Sequence, residues 1–301
     1  MQGLNWIAVD WGTSNLRVWA MGADGRVLAS GESDRGMGSL TPAEFEPALL
    51  DLVGAWLPPT GRVPVVACGM VGARQGWTEA KYRAVPCAPV DPAGGMTRPK
   101  VTDARLSVHI VPGLSQDRPA DVMRGEETQA AGFLAGNPGF DGVLCLPGTH
   151  SKWAHVSAGE IVSFQTFMTG EMFALLSRQS VLRHGVAAEG WDDAAFAGGV
   201  SDILSRPERI GAALFSLRAE GLLHGLSPVA ARARLSGLLI GAELSAARPY
   251  WLGREIVLIG SEALCRSYAT ALAAQGAAAR VVPSDGLTLA GLSAARASIK
   301  E

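Results

Sequence analysis

Short apolar runs separated by polar turns open the chain, and helical spacing takes over towards its end. Residues 6–10 (WIAVD) predict a strand, and 16–21 a second one across the polar turn Gly12, Thr13, Ser14, Asn15. Asp24-Gly25 is a hairpin signal, and 27–31 predict a third strand. The opening is therefore an antiparallel meander and not a βαβ unit. Thr41 is placed to cap a helix over 42–56. Strands follow at 63–68 and 108–111, a helix at 126–135, and a strand at 143–146 that stops at Pro147-Gly148. A turn at 157–159 leads to a strand at 161–166. From 193 to 247 the pattern is mostly helical, with Leu235, Leu238, Leu239 and Ala242 on one buried face. Then come a strand at 255–259, a helix at 264–274, a strand at 280–283 and a final helix capped by Asp285. The Pro- and Gly-rich segment 85–103 reads as a long loop near a domain boundary. One echo stands out. Apolar strands end in Asp-Trp-Gly-Thr at 10–13 and Pro-Gly-Thr at 147–149, each followed by a polar turn and another strand, as a duplicated unit would be.

Composition narrows the function classes. Of 301 residues, 48% are hydrophobic and 18% charged, so a sizeable core is expected and wholesale disorder is excluded. Lys and Arg number 26 against 28 Asp and Glu, which leaves no basic excess to hold nucleic acid. The four cysteines form no CxxC pair, and Cys68, Cys145 and Cys265 sit in apolar stretches as buried thiols do. No stretch has the ~18 uncharged apolar residues of a membrane helix, and the first residues do not resemble a signal peptide. A cytoplasmic protein without membrane partners is expected.

The turns carry the candidate chemistry. In the first, Asp10 ends a strand, Gly12 allows close backbone approach, and Thr13, Ser14 and Asn15 add donors around backbone N–H groups suited to an anion. Asp10 would meet phosphate only through a metal, and Mg²⁺ held through water is the natural bridge. The second turn repeats the theme with Gly148, Thr149, His150, Ser151 and Lys152. For Lys152 a phosphate contact and a solvated surface lysine are equally open readings. At Gly260-Ser261 a strand runs through glycine into a helix, a junction able to pack against an adenine ring. There is no GxxxxGK[ST] and no GxGxxG after a strand, so a phosphate site must be built from the two turns. Glu126 and Glu127 open a helix, where acids complement the helix dipole. One of them could equally accept the proton of a hydroxyl aimed at a γ-phosphate, with Arg124 neutralising an acidic substrate.

These pieces occur in the order of the actin/hexokinase/Hsp70 superfamily. DWGTSNLRVW (10–19), GMVGARQGW (69–77), VMRGEETQ (122–129), PGTHSKW (147–153), FMTGEM (167–172) and SGLLIGAEL (236–244) together resemble the 2-dehydro-3-deoxygalactonokinase family across nearly the whole chain. The resemblance implies an α/β, two-lobed, actin-like (ribonuclease H-like) fold with mixed sheets and an interlobe ATP cleft. It implies a first lobe over 1–115 and a second over 116–301, with the last helix, 285–298, packing back on the first. It implies transfer from ATP, with Mg²⁺, to 2-dehydro-3-deoxy-D-galactonate. Asp10 would hold the metal through water, Gly12–Asn15 and Gly148–Lys152 the phosphates, Gly260 and Ser261 the adenosine, and Glu126 or Glu127 would be the base. Carbohydrate kinases usually place aspartate there, so a glutamate departs from the pattern. A 2-oxo acid also needs a cation: Arg17, Arg74 and Arg124 are candidates, with Trp77, Thr169 and Glu171 as pocket wall. A kinase for another sugar or sugar acid, or an ATP-binding sensor without turnover, are the alternatives. A homo-oligomer is compatible with all three.

Overall fold

A computed structural model of the chain describes all residues except Pro92, Gly94, Asp285, Lys300 and Glu301. The helix cap expected of Asp285 thus lies outside the described residues.

The predicted meander is present as β1 (Leu4–Trp11), β2 (Leu16–Gly22) and β3 (Val27–Ser33), paired antiparallel. Alternation buries Leu16, Val18 and Ala20 and leaves Arg17 exposed. The helix expected over 42–56 divides. A single 3-10 turn holds Pro42–Glu44, and α1 (Phe45–Val53) follows, stopping at Gly54. Thr41 N and Oγ1 donate to the Glu44 carboxylate at 2.7 and 2.8 Å. β4 (Val63–Gly69) then lies parallel to β1, so Asp10 faces Cys68 and Trp11 faces Gly69. Next come β5 (Arg83–Ala84), β6 (Leu106–Ile110), β7 (Leu114–Gln116), β8 (Asp121–Met123) and α2 (Glu126–Gly136).

The second half runs β9 (Gly142–Leu146), β10 (Ser151–Ser157), β11 (Glu160–Phe167), α3 (Thr169–Arg178), α4 (Asp193–Leu204), α5 (Ile210–Leu223), α6 (Pro228–Ala246), α7 (Arg248–Trp251), β12 (Ile256–Gly260), α8 (Glu262–Ala273), β13 (Ala279–Pro283) and α9 (Leu287–Ala297). The first large sheet has the order β3-β2-β1-β4-β6 and the second β11-β10-β9-β12-β13. The strand–turn–strand echo is therefore part of a repeated sheet order. β4 is parallel to β1 and β6, and β12 is parallel to β9 and β13. The fold is α/β with mixed sheets.

Two compact units result. The first holds residues 1–140, 156–163 and 284–301, and the second 141–155 and 164–283. The boundary falls at 140/141 and not near 115, because α2 packs on α9 and both belong to the first unit. The loop 85–103 lies inside that unit, with Thr97 bridged to Ile110 and Cys87 to Ile161. α9 buries Leu292 and Ala295 with Ala8, Val66 and Cys68 of β1 and β4. Glycine permits the α2–α9 contact: a Cβ on Gly291 would stand 1.9 Å from Thr128 O, and one on Gly132 2.0 Å from Leu287 O. The second unit centres on Val143, Trp153, Leu258 and Tyr268, with Phe196 and Ile240 packed against them.

Candidate active site

Ligands in α/β sheets gather where parallel strands end. In the first unit β1 and β4 end side by side. There the Asp10 carboxylate accepts a hydrogen bond from Arg17 Nη2, its cross-strand partner, and stands 3.9 Å from Cys68 Sγ. The turn after β1 exposes Thr13, Ser14 and Asn15. It is shaped by Gly12 N donating to Asn15 O, and by Met37 N and Gly38 N donating to Gly12 O and Thr13 O at 3.0 and 2.9 Å. Gly36 makes this docking possible, since a Cβ there would lie 2.3 Å from Thr13 O. Sequence reasoning missed this support, because residues 36–39 carry only small residues and one methionine.

α2 delivers two acids to the same region. Gly125, at φ +108°, turns the chain into the helix, and a Cβ there would sit 3.6 Å from Gly69 Cα. Glu127 has no exposed surface. Its carboxylate accepts from Gly125 N at 2.6 Å and from Thr128 Oγ1 at 3.0 Å. Burial, and then the Glu126 charge, push its carboxyl up to about 7. The buried Cys68 thiol is pushed up first by burial and then by both the Asp10 and the Glu127 carboxylates, so the two acids flank one side chain. Glu126 is partly exposed and accepts from Arg124 N at 3.1 Å.

The arginine candidates separate clearly. Arg17 is paired with Asp10. Arg124 donates Nη2 to Ala80 O at 2.8 Å, covers the Tyr82 ring at 4.3 Å, and keeps Nε and Nη1 buried without partners. A Cβ on Gly72 would come within 2.8 Å of Arg124 Nη1, so the guanidinium fills a slot in the loop. Arg74 is exposed at a tight turn closed by Gly76 N donating to Ala73 O. Its head group has no hydrogen-bond or ion-pair partner among the described residues. Trp77 stacks 6.2 Å from Phe45 and meets Trp11 edge-on at 6.3 Å, which makes it an aromatic of the core.

In the second unit β9 and β12 are parallel and end near each other, at Leu146 and Gly260. A Cβ on Gly260 would stand 3.3 Å from Pro147 O, so the strand–Gly–helix junction is pressed against the root of the second turn. Gly148, Thr149 and Ser261 line one cavity of about 940 Å³. Ser151 and Lys152 do not open to solvent. Ser151 Oγ lies 3.0 Å from Tyr268 Oη, and Lys152 Nζ donates to His150 O at 3.0 Å with 4% of the residue exposed. The solvated-lysine reading fails because this end of β10 is buried on both faces, Ser151, Lys152, Trp153 and Ala154 alike.

Thr169 and Glu171 support the second turn. Glu171 N donates to Thr149 O at 2.9 Å, and its carboxylate meets His150 Nε2 at 2.6 Å. A Cβ on Gly170 would fall 2.3 Å from Gly148 O. Thr169 Oγ1 donates to Glu243, a buried carboxylate that also accepts from Trp153 Nε1 at 2.8 Å and Tyr268 Oη at 2.7 Å. Burial pushes its carboxyl up, and these donors oppose the shift. Glu243 escaped the sequence reading as a site residue. It lies within a quoted motif, but nothing in an apolar helix run marks one acid as a hub. No cluster of three or more His, Cys, Asp or Glu able to hold a metal occurs among the described residues.

A family profile described as 2-keto-3-deoxy-galactonokinase matches residues 10–295. A probable 2-dehydro-3-deoxygalactonokinase of Rhizobium meliloti (strain 1021) is 42% identical over 300 residues, covering 97% of this chain and 96% of that protein. The 2-dehydro-3-deoxygalactonokinase of Escherichia coli (strain K12) is 35% identical over 290 residues, covering 95% and 96%. A crystal structure from Sinorhizobium meliloti, of a protein given the same kinase name, superposes with a TM-score of 0.89 at 42% identity, covering 96% of this chain and 97% of that one. Sequence and backbone thus agree along almost the whole length, and the chain belongs to the 2-keto-3-deoxy-galactonokinase family.

Proposed function

We propose that this protein transfers the γ-phosphoryl group of ATP to the terminal hydroxyl of 2-dehydro-3-deoxy-D-galactonate, giving the 6-phosphate that an aldolase of galactonate catabolism would cleave. The observation that carries the reading is the full-length match to relatives named for this kinase. The site geometry supports a phosphoryl transfer in which positioning and charge neutralisation dominate.

Glu127 is the base in this reading. It flanks Cys68 together with Asp10, and its carboxyl, at about 7, is poised to take a proton near neutral pH. Glu126 caps the backbone at Arg124 and raises its neighbour. Gly12 to Asn15, and likewise Gly148 to Thr149, are turns suited to bind phosphate oxygens. Ser151 and Lys152 would hold the second turn in shape from within.

Mg²⁺ fits the donor set as a water-bridged ion. Asp10 is a 17% exposed carboxylate, paired with Arg17, beside a turn of N–H groups and hydroxyls. One carboxylate with phosphate oxygens and retained waters is how this ion is commonly held. When bound, the ion would offset charge on the transferring oxygens. Of the three arginines, Arg74 is the exposed one without a partner among the described residues and is assigned the acid's carboxylate; Arg17 is paired with Asp10, and Arg124, held on Ala80 O and the Tyr82 ring, has its two unpartnered nitrogens buried.

Product analysis tests the proposal. Phosphorus NMR of a reaction with ATP, Mg²⁺ and 2-dehydro-3-deoxygalactonate should show one new phosphomonoester coupled to a CH₂ group. A product phosphorylated at a ring or secondary carbon, or none, would reject it.

A further inference from the structure

Of the chain's eight tryptophans, Trp191 alone is exposed, at 45%. A bare indole on a surface is not by itself informative, but this one stands in the wall of the cavity lined by Gly148, Thr149 and Ser261. Its pose is built. Gly190, at φ +96°, turns the chain just before it, with Val229 packed against that turn. Trp191 Nε1 donates to Asp193 Oδ1 at 2.9 Å, and its ring centroid lies 5.0 Å from that of Phe196. Asp192 caps α4 by accepting from Ala195 N at 2.9 Å. The loop thus spends its polar groups on fixing the indole and leaves much of its surface bare.

The surrounding charge narrows what can lie there. Glu189 and Asp193 share the wall and oppose an acid's carboxylate, and Arg266, also in the wall, is paired with Glu262. Arg232, which also lines it, rests 5.1 Å over the Phe173 ring and donates to Ala187 O. A flat, uncharged heterocycle suits such a wall better than a sugar acid does. Stacking on an aromatic face tolerates any base and adds substantially to affinity.

We infer that Trp191 is the stacking platform for the purine base of the phosphoryl donor. The inference rests on the kinase reading for the identity of the donor, and it places the base on the Gly190–Asp193 loop in addition to the Gly260–Ser261 junction.

Calorimetric binding of ADP and of tripolyphosphate to the wild type, Trp191→Ala and Trp191→Phe tests it. Tripolyphosphate carries phosphates and no base. ADP affinity should fall roughly 10- to 100-fold in Trp191→Ala, as loss of a base–aromatic stack does, and recover most of the way in Trp191→Phe. Tripolyphosphate affinity should stay within twofold in all three. ADP binding unchanged in Trp191→Ala overturns the platform and leaves the kinase reading intact. Equal weakening of both ligands also overturns it, because that is collapse of the pocket. Trp191-dependent ADP binding by a wild type that phosphorylates no acceptor keeps the platform and rejects the kinase reading. A wild type that binds no ADP rejects both.

Discussion

In the proposed reaction Glu127 combines full burial with the role of proton acceptor, and the two make opposite demands on its charge. Its carboxyl, raised from 4.5 to about 7, is protonated in mildly acidic solution and ionised above neutrality. The ionised form accepts a proton, so kcat/KM should rise with pH through a limb near 7. In Glu126→Gln that limb should move to lower pH, because a charge that raises Glu127 is gone. Glu127→Gln should lose about 10²- to 10⁴-fold in turnover, and Glu126→Gln far less. The reverse order would transfer the base to Glu126. Stability follows the opposite sense. The fold favours protonated Glu127, so the contribution is full below pH 4.5 and is lost between 4.5 and about 7, on the order of 3 kcal/mol. Glu127→Gln should therefore gain in melting temperature over the wild type at pH 8 and show little gain at pH 4.5. At Arg74, removal of the side chain should raise KM for the sugar acid roughly 10- to 100-fold, the cost of a charge-assisted pair, and leave KM for ATP near its wild-type value.

The elements decide how firmly these residues are held. α3 places Gly170 against Gly148 O and Thr169 on Glu243, so the second turn is clamped from behind. Gly170→Ala should displace that turn and raise KM for ATP about tenfold or more in steady-state assays. Gly198→Ala, on α4 where a Cβ meets nothing within 4 Å, should keep activity and add about 1 kcal/mol of stability in a denaturant titration. The sequence showed the long strands and both turns because their signals are local: apolar runs ending in glycine and hydroxyls. It did not show α3, a ten-residue helix with no fully buried residue, although Phe173 and Leu176 do pack one face against the core. Nor did it show β5, β7 and β8, whose two or three residues each are too few for any periodicity. The helical reading of 193–247 was right in kind, but the breaks after Leu204 and Leu223 that yield three helices were not placed. Thr169, Glu171 and Trp77 were read as a substrate wall. Thr169 does line the cavity of the second unit and also, with Glu171, supports the second turn, whereas the ring contacts of Trp77 make it part of the core.

At the scale of the molecule, one sheet order is used twice, and each unit ends a pair of parallel strands at a glycine-bearing turn. Each unit also joins two helices through glycines at backbone contact: Gly132 with Gly291 in the first, and Gly199 with Gly237 in the second. The first unit supplies the carboxylates Asp10 and Glu127, and the second supplies the cavity of about 940 Å³. Phosphoryl transfer to a sugar acid is the proposed activity. It is tested most directly by ADP release from ATP and Mg²⁺ with 2-dehydro-3-deoxygalactonate, its gluconate epimer, galactonate and plain hexoses offered singly as acceptors. The account predicts fast release with 2-dehydro-3-deoxygalactonate and little with the hexoses. Turnover that prefers a hexose, or ATP binding with no release for any acceptor, would contradict it.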